Sequence, residues 1–195
     1  MRKITSKELK ENKQKRNQTI VGVILVTVML ASTLGFSFVG ENNSSANKKI
    51  KYNGIEFEEQ NGFWFANIGN SQFSFRYNPE QIKEISLNAP NINLNSYSGK
   101  PVYIYSNNTE AGAEIYRNLN YFAQRIQPAC PSEMEKKECD ENWPVKTCDD
   151  NFIIISEDKN SEITKKDNCV FIKGQTESLT KLTDKFLFKI IGIEQ

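Results

Sequence analysis

Apolar positions follow three different patterns along this chain. The first is continuous: Ile20 to Val39 reads IVGVILVTVMLASTLGFSFV, with no charge and no proline. At 1.5 Å per residue, twenty helical residues reach ~30 Å, the thickness of a bilayer's hydrocarbon core. A helix also satisfies every backbone polar group within the segment. The run therefore predicts a transmembrane helix over residues 18–40. The second pattern is alternation. Ile55 and Phe57, then Phe63 and Phe65, then Phe73, Phe75 and Tyr77 alternate with polar residues, and Asn61-Gly62 and Gly69-Asn70 punctuate them as turns. We expect a three-stranded antiparallel meander with one mostly aromatic face and Trp64 on the other. Asn78-Pro79-Glu80-Gln81 then reads as a capped helix start, with the helix ending near Ile85. Residues 86–100 read as a long polar loop.

The third pattern mixes helical stripes with short apolar runs. A strand at 102–105 precedes a helix capped by Asn108 or Thr109, whose apolar positions Ile115, Leu119, Phe122 and Ile126 lie on one stripe before Pro128 stops it. Residues 151–156 read as a buried strand. A hairpin around Lys166-Asp167 follows, with Cys169 to Ile172 as its inner strand. Thr176 can cap a last helix with Leu179, Leu182, Phe186 and Ile190 on one face, Lys181, Lys185 and Lys189 turned away, and Gly192 as its stop. The expected fold class is α+β. After the transmembrane helix comes one extracytoplasmic domain, made of the aromatic antiparallel meander and a mixed β-α-β-β-(β)-α sheet layer. The helix joining the strands at 102 and 151 implies a right-handed crossover and a parallel pair. Helices are expected on one face of that sheet, with the meander beside it or onto it. The domain organisation is a basic tail at 1–17, a span at 18–40, a tether at 41–50 and a domain at 51–195. Within that domain, 51–100 holds the meander and loop, 101–195 the β/α part, and 127–150 a cysteine-rich connector.

Charge orients the span. Seven basic and two acidic residues precede it, a net of +5, whereas the ten residues after it hold only Lys48 and Lys49 as cations. The positive-inside rule places the N-terminus in the cytoplasm and the domain outside, at the cell membrane in single-pass topology. A cleaved signal peptide is the competing reading, carried by Ala31-Ser32-Thr33, but its apolar core normally has 7–15 residues. Either way the domain lies outside. Beyond the span the chain is mildly acidic, with 18 basic and 22 acidic residues. That balance argues against nucleic acid as a partner. The bilayer, met through residues 20–39, is the expected partner, together with envelope polymers or other membrane proteins.

Outside the cytoplasm, Cys130, Cys139, Cys148 and Cys169 read as a disulfide framework. Of three possible pairings we favour Cys130–Cys139 with Cys148–Cys169, which closes one short loop and ties two strand starts together. A zinc site is the sharper alternative, but eight, eight and twenty intervening residues do not match the close pairs that zinc ligands form. C-x-x-C is absent. Asn42, Asn43 and Asn107 each open an N-x-S/T acceptor pattern for glycosylation. The chain has no histidine, which removes Ser-His-Asp and Cys-His pairs. The connector's carboxylates lack calcium-loop spacing. S-x-x-K at Ser156 and Ser178 lacks its companion motifs. We therefore assign no catalytic residue, no metal site and no cofactor.

The stretches YNGIEF, FWF and FRYNP, with VKTC, NCVFIKG and LTKLTDKFLFKIIGI near the end, make the layout similar to uncharacterised single-span membrane proteins of archaea. The resemblance covers most of residues 18–195. It implies an envelope location and paired cysteines, and it carries no activity. The expected function is a membrane-anchored, non-enzymatic binding or scaffolding module at the cell envelope. The alternatives are a carboxylate-dependent hydrolase of envelope polymers and an accessory subunit of a membrane complex.

Overall fold

Residues 16–32, 48–85, 92–135 and 139–194 are described by the structure, a computed structural model. The basic tail up to residue 15, residues 33–40 of the expected span, and Asn42 and Asn43 in the tether lie outside the described residues. The chain divides into two units, residues 1–46 and 47–195.

In the first unit residues 16–32 form helix α1. Nine large apolar side chains from Ile20 to Leu30 are each at least half exposed, so the helix is apolar all round. Its polar groups close on their own backbone: Thr27 Oγ1 donates to Val23 O at 2.7 Å and Ser32 Oγ to Val28 O at 2.8 Å. Among the described residues no helix is long and apolar enough to cross a membrane. Residues 33–40 of the expected span are outside that set.

The second unit is α+β. Its first part is an antiparallel meander of four strands: β1 (Lys49–Tyr52), β2 (Ile55–Gln60), β3 (Phe63–Ile68) and β4 (Ser71–Phe75). The extra strand β1 begins two residues inside the stretch read as tether. It is joined to β2 by Asn53-Gly54, and β2 to β3 by Asn61-Gly62. All four turn residues have positive φ, as a two-residue hairpin of this hand requires. The aromatic face differs from the expected one. Phe57 pairs with Ala66, and Trp64 pairs with Phe75. A two-residue turn pairs odd positions with even ones, so the inward parity switches at each hairpin. Trp64 and Ala66 therefore join Phe57, Phe73 and Phe75 inside, while Phe63 and Phe65 are half-buried on the opposite face.

After a 3₁₀ turn at Pro79–Ile82, capped reciprocally by Asn78 and Gln81, the chain reaches the mixed sheet. Its strands are β5 (Pro101–Ser106), β6 (Arg125–Pro128), β9 (Phe152–Glu157), β10 (Glu162–Lys166) and β11 (Cys169–Gly174), in the order β10-β11-β9-β5-β6. A two-stranded ribbon, β7 (Cys130–Pro131) with β8 (Val145–Lys146), lies in the connector. Strands β5 and β9 are parallel, as expected. Helix α2 (Thr109–Leu119) is shorter than the stripe suggests. In its last turn Asn118 bonds both backbone groups of Ser74, and Arg125–Pro128 is a strand parallel to β5. Phe122 and Ile126 still pack on the core, but from a turn and a strand.

Helix α2 and the last helix α3 (Leu179–Ile190) lie between the two sheets. The meander packs onto the helices, and the helices pack onto the mixed sheet. That arrangement leaves α3 without a solvent face. Lys185, expected outside, is buried and pairs with Glu194 at 2.6 Å, and Lys181 lies 5.2 Å over the Tyr77 ring. The core between the layers joins Phe57, Trp64 and Phe75 of the meander to Leu182, Phe186 and Phe188 of α3 and to Ile104, Ile153, Ile155 and Ile172 of the mixed sheet.

Asn108 caps α2 through Ala111 N at 2.9 Å, and its amide donates to Thr176 O at 3.3 Å, just ahead of α3. Asn108→Ala is expected to cost ~1 kcal/mol, read as a lower urea midpoint with an unchanged slope.

Candidate functional site

Alternation along the mixed sheet sends a second set of side chains to the face away from the helices. Tyr103 and Tyr105 come from β5, Phe152 and Ile154 from β9, and Cys169 and Phe171 from β11. The registers set them in rows: Tyr103 with Phe152 and Cys169, Tyr105 with Ile154 and Phe171, then Ser156 with Lys173. A sheet this apolar on both faces needs a cover on each. The helices supply one and the connector supplies the other, through Ala129, Met134, Trp143, Cys139 and Cys148.

Two disulfides hold that cover. Cys130 bonds Cys139, with Cα atoms 5.8 Å apart, and Cys148 bonds Cys169, at 4.9 Å. The first shapes the connector, and the second ties its end to the first residue of β11. Among the described residues no cysteine is free, and no group of Cys, Asp and Glu is placed to hold a metal ion.

The cover is incomplete. Between connector and sheet lies a cleft of ≈ 410 Å³ floored by Phe152, Ile154 and Phe171 and walled by Met134 and Cys148. Ser132, Thr147 and Ser156 offer hydroxyls to it. Lys146, Lys166 and Lys173 line it against Glu133 and Asp167. The size and the mixture of apolar floor and few polar groups are those of a ligand site. Lys146 is fixed: its Nζ lies 3.2 Å from Asp150 Oδ1 and 4.1 Å from the centre of the Tyr103 ring. Arg125 Nη2 donates to the Tyr103 hydroxyl at 2.9 Å. Lys146 and Arg125 together hold the Tyr103 phenol below its usual range, and Tyr103 and Asp150 hold Lys146 above its own. This cluster was not foreseen, because the β5–β6 and β5–β9 pairings that assemble it are non-local.

Asn107 is exposed in the turn between β5 and α2. Among the connector's described acids, Glu133 lines the cleft, and Asp150 serves Lys146. The most displaced carboxyls, Glu114 and Asp184, are elsewhere. They are fully buried between α2 and α3, where burial first and mutual contact second push Asp184 well above the carboxylate range.

No family model, no curated protein and no solved structure matches this chain.

Proposed function

We propose that the chain is a single-span, membrane-anchored protein with an extracytoplasmic domain that binds an envelope component without transforming it. In this reading the cleft over the mixed sheet is the binding site. The observation that carries the anchor is helix α1, whose large apolar side chains are exposed on every side and whose hydroxyls are already satisfied by its own backbone. Water does not favour such a surface, and lipid does. The basic flank before it supports an N-terminus in the cytoplasm, and the two disulfides support an oxidising surrounding for the domain. The cleft supports binding. Its apolar floor suits a hydrophobic body, and with Lys146 paired to Asp150 and Lys173 to Glu162, Lys166 is the cation that favours a ligand with an anionic end. Glycans on Asn107 and a scaffolding role toward other membrane proteins fit the same placement.

Two measurements test it. Peptide mapping without reductant, on protein from intact membranes, is expected to recover both disulfides together with an uncleaved N-terminus, and protease added outside intact cells should remove the C-terminal domain. Reduced thiols or a protected domain overturn the anchor and its direction. Thermal-shift screening of the full chain in detergent against anionic lipids, acidic glycans and acidic peptides should find a stabilising ligand. Lys166→Glu and Phe171→Ala should weaken it about tenfold or more, as loss of a charge contact or of an aromatic floor does. A ligand whose affinity both variants leave unchanged places the site elsewhere. Turnover of a glycoside, ester or peptide substrate removes the non-enzymatic reading.

A further inference from the structure

Glu114 of α2 and Asp184 of α3 meet inside the domain with no exposed surface on either side chain. The two carboxyls are near enough for the Glu114 charge to act on Asp184. The outer oxygens are accounted for: Glu114 Oε1 accepts from Arg117 Nη2, and Asp184 Oδ2 accepts from Tyr77 N at 2.8 Å. The remaining oxygens, Glu114 Oε2 and Asp184 Oδ1, are buried and receive no donor. Two ionised carboxylates are acceptors only, so both oxygens stay unsatisfied unless one carboxyl keeps a proton. One shared proton satisfies both and leaves a single negative charge opposite Arg117. The buried group of three is then neutral.

The surroundings offer no second cation to the pair. On α2, Glu110 adds a distant negative charge and is itself paired with Arg76 at 3.2 Å. From β3, the Phe63 ring covers Arg117 at 4.7 Å. From the segment after β4, Tyr77 contributes its N–H, and Lys181 of α3 is spent on the Tyr77 ring. Lys185 of α3 is committed to Glu194. Three parts of the domain therefore converge on one proton: α2 through Glu114, α3 through Asp184, and the end of the meander through Tyr77.

We propose that Glu114 and Asp184 retain one shared proton and form a proton-operated latch joining the two helices to the meander, which loosens as the surroundings become alkaline. The proton belongs to Asp184, which donates to Glu114. Asp184 faces the Glu114 charge, whereas Arg117 bonds Glu114 directly and favours its ionised form. The direction of the pH effect follows. A carboxyl raised in the folded state and ordinary in the unfolded state stabilises the fold fully below its unfolded value. That contribution is lost as pH rises through the folded value.

The test uses the full chain in detergent micelles, followed by thermal and urea unfolding between about pH 5 and about pH 9. For the wild type, the folded-to-unfolded ratio should fall by up to about tenfold per pH unit across part of that window, the slope of one proton. Asp184→Asn copies the protonated acid, donating to Glu114 and accepting from Tyr77. It should fold and lose this slope. Parallel profiles for wild type and Asp184→Asn overturn the latch. If Asp184→Asn fails to fold, Glu114→Gln keeps the hydrogen bond without the proton and should flatten the profile in the same way. Isotope-edited infrared spectra of the wild type give an independent reading: a protonated carboxyl band should persist at neutral pH, and its absence overturns the proposal whatever the variants do.

Discussion

Phe188→Ala is expected to destabilise the C-terminal domain by ~3–5 kcal/mol, the usual cost of emptying a fully buried aromatic site. Phe188 is fully buried on α3, and its ring lies 4.6 Å from that of Phe75 and 6.0 Å from that of Phe57. It thus joins α3 to two meander strands at once. The neighbours cannot close on the gap, because Phe57 and Phe75 are held by strand pairing and α3 is held by the mixed sheet behind it. Set against a total of ~5–15 kcal/mol for an ordinary domain, this change should leave a large fraction unfolded at 37 °C. Equilibrium urea unfolding of the variant and of Phe63→Ala, whose ring is half-buried on the opposite meander face, should separate the two clearly. A cost for Phe188→Ala no greater than that for Phe63→Ala contradicts the three-layer core.

The second large effect belongs to the disulfide between Cys148 and Cys169. Replacing both by serine is expected to cost about 3 kcal/mol on the loop-closure account. The bridge between Cys130 and Cys139 closes a shorter loop and should cost somewhat less. The two changes should also differ in kind. Cys148 and Cys169 line the cleft, and the bond between them pins the connector to β11. Its loss should uncover Phe152, Ile154 and Phe171, seen as faster amide exchange along β9 and β11 and as weaker binding of any cleft ligand. Loss of the other bridge should leave exchange in those strands close to that of the wild type. Equal exchange in both double variants means that the connector holds the sheet by packing alone.

Local signals carried much of this architecture. The Asn61-Gly62 turn, the Asn78–Gln81 capping box, the Asn108 cap and the final helix are legible because each is set by neighbours in the chain, whereas the parallel pair of β5 and β9 follows from the crossover rule for a strand-helix-strand unit. What escaped depends on partners far away. Trp64 was placed on the wrong face because each strand was read alone, without the switch in parity that two-residue turns impose. Strand β6 was read as helix because Phe122 and Ile126 continue the α2 stripe, whereas the backbone of Arg125–Pro128 is claimed by β5. Lys185, Glu114 and Asp184 look like surface residues in sequence. A signal existed for one of them: Ala111, Ile115 and Leu119 set a stripe on α2, and Glu114 and Asn118 fall beside it at helical spacing. A polar residue on an apolar stripe marks a buried partner, but nothing local says that the partner of Glu114 is Asp184, seventy positions on.

The place of α3 has a consequence for how the molecule is made. With α2 it fills the gap between two sheets, yet it is synthesised after every strand of both. Until its final turn is complete, the aromatic lining of the meander and the aliphatic lining of the mixed sheet have only α2 between them. A nascent chain halted before residue 179 is therefore a half-shell, sticky on its inner side and a natural client for chaperones. Closure comes as one late event when the plug arrives.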